Sequence, residues 1–155
     1  MPSRPPRTTR AADGRVNAAD RVFVDSGAWI ALRSRRDHYH AEADRLFRVA
    51  IERRVQLVTT NVVIAEVHRL TLFRAGLQPA LRGLDEIGAS PSVTIHFATA
   101  DDHTAARSWI GRLAPRPITY TDAVSFAVMG ATGCSQVLGF DEDFAVAGFT
   151  GWSGR

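Results

Sequence analysis

The sequence contains no lysine, because all 19 of its basic residues are arginine. It also contains only one cysteine and no long run of apolar residues. Cys134 alone can form neither an internal disulfide nor a thiolate metal site, which favours a reducing compartment. No stretch approaches the roughly 18 uncharged apolar residues of a membrane span, and the N-terminus lacks the apolar segment of a signal peptide. These absences predict a cytoplasmic protein with no membrane contact.

Length and charge distribution predict one globular domain with a short arm. The chain has 155 residues, of which 45% are apolar and 23% charged, as in ordinary folded domains. Two of its three net positive charges lie in residues 1–20, where arginine, proline and threonine occur without an apolar period. We expect a flexible basic arm over 1–20, a domain over 21–150 and a tail over 151–155. Such an arm alone is weak evidence for nucleic-acid binding.

Short apolar strands alternate with helical segments after residue 20. Strands are predicted at 21–24, 56–59, 93–97 and 136–140, with a weak one from Phe149. Helices are predicted between them, beginning near Gly27, His38, Thr60 or Asn61, Gln78, Thr99 and Thr119 or Thr121. This order predicts an α/β fold, a three-layer α/β/α sandwich around a mainly parallel sheet.

Several acidic residues occur in apolar segments, where a buried carboxylate would be unfavourable. Asp25 follows the first strand, and Asp141 and Asp143 follow the strand near residue 138. Asp122 begins an apolar helix, and Glu66 lies on an apolar helix face. The carboxyl ends of parallel strands meet at one edge of a sheet, so these acids are expected to converge.

Each acid also has a purely structural explanation. Asp25 or Ser26 can cap a helix, and Asp122 can complement a helix dipole. Glu66 can pair with Arg69 three residues later, and Asp141 with Asp143 can form a polar turn.

Several carboxylates in one pocket repel one another and require a cation. Two of them about 4 Å apart repel by about 4 kcal/mol at an effective dielectric near 20. Oxygen ligands without cysteine or a histidine pair favour Mg²⁺ or Mn²⁺ over zinc. Such ions activate water and offset charge on a phosphodiester.

Four segments resemble the signatures of the PIN-domain ribonucleases, and their order and separations are similar to those of that family's bacterial VapC toxins: 22–28, 60–66, 120–123 and 139–144. The resemblance implies a Mg²⁺- or Mn²⁺-dependent endoribonuclease toxin of a type II toxin-antitoxin pair, forming a homodimer and inhibited by a small cognate antitoxin. It assigns catalysis and metal binding to Asp25, Glu66, Asp122 and Asp141, with Asp143 as a further metal ligand. Water activated by the metal is expected to cleave RNA, leaving a 3′-hydroxyl and a 5′-phosphate.

Other residues are assigned supporting roles around this site. Ser26 and Asn61 are candidates to orient the carboxylates, although both are explained equally well as helix caps. Arg33, Arg35 and Arg36 are candidates for contacts with RNA phosphates, followed by Arg69 and Arg74. Many family members carry threonine or serine at the position of Gly139, so a hydroxyl contact to the last acid is missing here.

Competing classes fit the sequence less well. A receiver-type phosphorelay domain needs a partnering lysine, and a haloacid-dehalogenase-like phosphatase needs a second aspartate where Gly27 stands. No glycine-rich nucleotide loop follows a predicted strand. The remaining alternative is a catalytically inactive PIN-like module that binds RNA or protein.

Overall fold

The structure, a computed structural model, describes residues 21–155, so the predicted basic arm lies outside the described residues. Its centre is a five-stranded sheet in which every pairing is parallel, in the order β3-β2-β1-β4-β5. The strands are β1 (Arg21–Val24), β2 (Gln56–Thr60), β3 (Val93–His96), β4 (Gln136–Leu138) and β5 (Thr150–Gly151). The predicted fold class is confirmed.

Helices connect the strands, as parallel pairing requires. They are α1 (Ser26–Arg33), α2 (His40–Glu52), α3 (Asn61–Ala75), α4 (Leu77–Ala89), α5 (Ala100–Leu113), α6 (Tyr120–Thr132) and α7 (Asp143–Val146). No helix within residues 21–155 is both long enough and apolar enough to cross a membrane.

The core lies around β1 and α6. Phe23 pairs with Val58 on one side and Val137 on the other, and it is completely buried. Every residue of α6 from Asp122 to Met129 is buried, and the Phe126 ring packs edge-on against Phe144 at 5.1 Å. A helix that is buried on all sides carries its first-turn aspartate into the interior.

The capping predictions are resolved at two positions. The Thr60 hydroxyl, rather than Asn61, accepts the Val63 amide at 3.0 Å and caps α3. The Thr119 hydroxyl, rather than Thr121, accepts the Asp122 amide at 3.1 Å and caps α6. The backbone of both threonines is extended, and in this conformation the side chain reaches the free amides of the first helical turn.

The end of the chain differs from its sequence prediction in two places. The fourth strand ends at Leu138 instead of residue 140, because its partner β1 ends at Val24 and leaves no ladder to continue. The residues expected to form a tail belong to the fold, since the Trp152 amide donates to the Val137 carbonyl at 2.7 Å and the Trp152 side chain is buried.

Candidate active site

Asp25 follows β1 directly and stands at the N-cap position of α1. Its amide donates to the Leu138 carbonyl at 3.1 Å, and the residue is only 4% exposed. Its carboxylate makes no capping hydrogen bond, although Ser26 makes a long 3.5 Å contact with Oδ1. Burial, together with the negative charges of Asp122, Glu66 and Asp141, raises the pKa of Asp25 to about 7.

Gly139 makes room for this buried carboxylate. A Cβ atom at position 139 would lie 3.0 Å from the Asp25 Cβ and 3.7 Å from its Oδ2. A side chain here would require a shift of a few tenths of an ångström, so the glycine lets the two segments approach closely.

Asp122 lies in the first turn of α6 and is 7% exposed. The Thr119 hydroxyl donates to its Oδ2 at 2.7 Å, which lowers its pKa, but burial and the charges of Asp141, Glu66 and Asp143 outweigh that bond. The net result is a pKa raised to about 6. Asp122 thus takes part in the capping hydrogen bonds at the start of α6, and its carboxylate also faces other acids.

Glu66 is half-buried on α3 and has no ion-pair partner within residues 21–155. Arg69, its proposed structural partner, instead lies over the Phe73 ring at 5.7 Å. Glu66 lines an open groove of about 320 Å³ whose walls include Ser26 and Arg74. The ion-pair explanation of Glu66 is therefore wrong.

Asp141, in the loop after β4, and Asp143, the first residue of α7, complete the group. The Asp143 amide donates to Asp141 Oδ1 at 2.9 Å, so the two form the polar turn considered above. Asp122, Asp141 and Asp143 each also contribute one carboxylate oxygen to a group in which all three oxygens lie within 4.8 Å of one another. The polar turn and the convergence of acids occur together.

We call Asp25, Glu66, Asp122, Asp141 and Asp143 the acidic cluster. Arg116 is the one arginine within the described range that pairs with it, through Nε to Asp143 and through Nη2 to the neighbouring Glu142 at 2.7 Å. Both acids raise the pKa of Arg116. The other four members have no basic partner in this part of the chain.

These donors fit a hard divalent cation. All are carboxylate oxygens, and for the buried Asp25 and Asp122 burial, followed by mutual repulsion, raises the pKa. A cation relieves that repulsion and favours the ionised form. Of the acidic cluster, Asp143 has its charge already offset by Arg116.

The predicted supporting residues differ in their surroundings. The Asn61 side-chain oxygen accepts the Ala98 amide at 2.8 Å and thus holds the loop before α5. Arg33 pairs with Glu86 and donates to the Pro79 carbonyl at 3.1 Å, so its guanidinium is engaged within the chain. Arg35 and Arg36 are exposed, and their contact with RNA stays a prediction.

Three features of the site carried no recognisable sequence signal. Arg116 stands alone between two prolines, and its partners lie 26 and 27 residues away. Tyr39 stacks on Phe140 in the groove, with ring centroids 4.3 Å apart. The role of Gly139 depends on a strand pairing, β1 with β4, that spacing alone does not reveal.

Comparisons with known proteins agree with this geometry. A PIN-domain family model matches residues 22–150. The 23S rRNA-specific endonuclease VapC20 from two strains of Mycobacterium tuberculosis is 34% identical over 128 residues, covering 83% of this chain and 95% of the relative. The crystal structure of M. tuberculosis VapC20, described as a sarcin-ricin loop cleaving toxin, superposes with a TM-score of 0.76 at 33% identity, over 83% of this chain and 96% of that one. With its acids gathered at the carboxyl edge of a parallel sheet, this chain belongs to the PIN-domain family.

Proposed function

We propose that this chain is a metal-dependent endoribonuclease, the toxin of a type II toxin-antitoxin pair. The observations that carry the proposal are the carboxylate oxygens of Asp122, Asp141 and Asp143, which lie within 4.8 Å of one another, and the buried Asp25, whose pKa is raised by burial and by the charges of Asp122, Glu66 and Asp141. A purely structural arrangement has no reason to bury acids whose charges oppose one another. The similarity to VapC20 supports the same activity.

Asp25, Glu66, Asp122 and Asp141 would hold Mg²⁺ or Mn²⁺, with Asp143 as a further ligand. The ion, when bound, supplies Lewis-acid chemistry, lowering the pKa of water and offsetting charge on the phosphate. The chain itself fixes the oxygens: Thr119 orients Asp122 through Oδ2, and the Asp143 amide orients Asp141. No side-chain nucleophile is required.

The substrate proposed is RNA with an exposed loop, because unpaired bases and their backbone can reach an open groove. Arg74 lines the groove beside Glu66, and Arg35 and Arg36 are exposed on the loop between α1 and α2. These arginines would attract phosphates toward an acidic site. Since the relative is a sarcin-ricin loop cleaving toxin, RNA containing that loop is the first substrate to test.

The partners proposed are a cognate small antitoxin and a second copy of the chain, both acting in the cytoplasm. Apolar side chains exposed along α3 and α4 provide surface for such contacts: Phe73, Leu77, Leu81 and Leu84. Their exposure supports association without selecting the partner.

The test is incubation of purified protein with total RNA and with sarcin-ricin loop RNA, in Mg²⁺ or in EDTA. We expect defined cleavage in Mg²⁺, and a loss of at least a hundredfold in EDTA or on the substitution Asp25→Asn, in line with effects of removing a main electrostatic group. Asp85→Asn, an exposed acid of α4, is the matched control and should cleave normally. Cleavage that survives both EDTA and Asp25→Asn contradicts the mechanism. Binding without cleavage favours the inactive module.

A further inference from the structure

The groove beside Glu66 has an aromatic wall that the proposed chemistry does not use. Tyr39 and Phe140 both line it, and their rings stack with an interplanar angle of 5°. Phe140 immediately precedes Asp141, and Tyr39 comes from the loop between α1 and α2. An aromatic pair therefore stands next to a proposed metal ligand.

The loop that carries Tyr39 is held by several hydrogen bonds. Asp37 Oδ1 accepts the Tyr39 amide at 2.8 Å, and the Asp37 amide donates to the Ser34 carbonyl at 3.0 Å. His40 Nδ1 donates to the Ala31 carbonyl at 2.8 Å, which ties the start of α2 to α1. The ring is thus placed by fixed backbone, so presenting it costs little conformational entropy on binding.

Tyr39 keeps exposed surface in spite of its neighbours. The residue is 44% exposed although it stacks on Phe140 and meets the His38 ring edge-on, with centroids 4.9 Å apart. Stacking on Phe140 therefore leaves a large part of Tyr39 in contact with solvent. The ring remains accessible to a planar group entering the groove.

Positive charge lies on the same path. Arg74 lines the groove with Tyr39, and it also lines an adjoining cavity of about 280 Å³ together with Arg36. Aromatic rings beside cationic groups are the combination by which proteins hold single-stranded nucleic acid, through base stacking and phosphate contacts. A stretch of unpaired nucleotides is the ligand chemistry that matches both.

We infer that the Tyr39–Phe140 stack is a platform for one unpaired base next to the scissile phosphate, with Arg74 and Arg36 contacting the phosphates that follow. The inference rests on the proposed function and adds a positioning role to it. Tyr39 would align the RNA backbone over the acidic cluster, and so contribute to the choice of cleavage position.

The test measures RNA binding separately from cleavage. All variants carry Asp25→Asn, and the probes are sarcin-ricin loop hairpins with 2-aminopurine at one unpaired position each, whose fluorescence falls when the base stacks. We expect quenching at one or two adjacent positions. Tyr39→Leu should abolish that quenching and weaken binding about 5- to 150-fold, the range for loss of one stacked base. Tyr39→Phe, which retains the ring, should preserve the quenching.

Ile51→Ala is the control, because Ile51 is 64% exposed and does not line the groove. It should bind like the parent, and circular dichroism should show every variant folded. Unchanged affinity and quenching in Tyr39→Leu, or no quenching and no binding at any position, overturn the platform. Cleavage of total RNA by the protein with Asp25 intact is assayed in parallel. Its absence counts against the nuclease proposal, while the binding data alone decide the platform.

Discussion

Arg116 offsets part of the negative charge of the acidic cluster by pairing with Asp143. It contacts Asp143 through Nε and Glu142 through Nη2, so two of its three guanidinium nitrogens donate to acids. The side chain of Asp143 is only 16% exposed, whereas that of Glu142 is 84% exposed. The pairing with Asp143 is therefore the one that acts inside the site.

Arg116→Gln should tighten binding of Mn²⁺ by several-fold and lower the Tm of the metal-free protein. Removal of a fixed positive charge lets the carboxylates attract a bound cation more strongly. In the metal-free protein, the same change increases the repulsion among the carboxylates. Calorimetric titration with Mn²⁺ and thermal unfolding in EDTA measure the two effects. Glu142→Gln is the matched control, since it removes an acid from the same arginine and should not tighten the metal. Weaker Mn²⁺ binding in Arg116→Gln would show that Arg116 mainly holds Asp143 in a ligating position.

At the scale of single residues, the sequence revealed the acids but not their surroundings. Asp25 and Glu66 could be selected because each stands in an apolar segment, where a carboxylate is costly. Arg116 and Gly139 could not, because their roles arise from contacts with residues more than 25 positions away. Asn61 was placed near the site, yet its oxygen bonds a loop amide. Side-chain partners of this kind depend on tertiary packing.

Helix α3 carries Glu66 and begins at a buried hydroxyl. The Thr60 hydroxyl accepts the Val63 amide at 3.0 Å, and Thr60 is completely buried. The first turn of α3 thus depends on one side-chain acceptor at the end of β2. The position of Glu66, in the second turn, follows from it.

Thr60→Val should lower the free energy of unfolding by about 1 kcal/mol, because it keeps the side-chain shape and removes the cap. Thr60→Ser retains the hydroxyl, so its free energy of unfolding should fall by less. Urea unfolding of both variants in EDTA gives the comparison. A larger loss for Thr60→Ser than for Thr60→Val would show that the buried methyl group, and not the cap, stabilises this helix start.

Elements with a strong periodic or capping signal were predictable, and short ones were not. The helix after Thr99 was expected with Thr99 as its cap, and the structure has a full capping box with Asp102. Helix α7 was missed because it has only four residues, too few for a period. The early end of β4 was missed as well, since strand ends depend on the partner strand.

For the whole molecule, the buried acids couple stability to pH. Raised pKa values of about 7 for Asp25 and about 6 for Asp122, against 3.8 ordinarily, mean that the folded protein retains protons that the unfolded chain has released. The free energy of unfolding of the metal-free protein should therefore fall as pH rises from about 4 toward 7, by at most about 1.4 kcal/mol per pH unit for each group.

A divalent cation bound at this site would replace those protons, so its stabilising effect should grow with pH. We expect millimolar Mg²⁺ to raise the Tm clearly at pH 8 and hardly at pH 5, relative to EDTA. Differential scanning fluorimetry of the full chain measures this. Asp25→Asn should flatten the pH dependence in EDTA and reduce the Mg²⁺ shift. An equal Mg²⁺ shift at pH 5 and pH 8 would contradict displacement of protons from this site.

The strand order has a consequence for synthesis of the chain. β1 lies between β2 and β4, so Asp25 meets Asp141 only after β4 has been made and has paired with β1. A nascent chain that has emerged only as far as α5 contains Asp25 and Glu66 but neither Asp122 nor Asp141. If the chain cleaves RNA as proposed, the ribosome must have added all four acids before a competent nuclease exists.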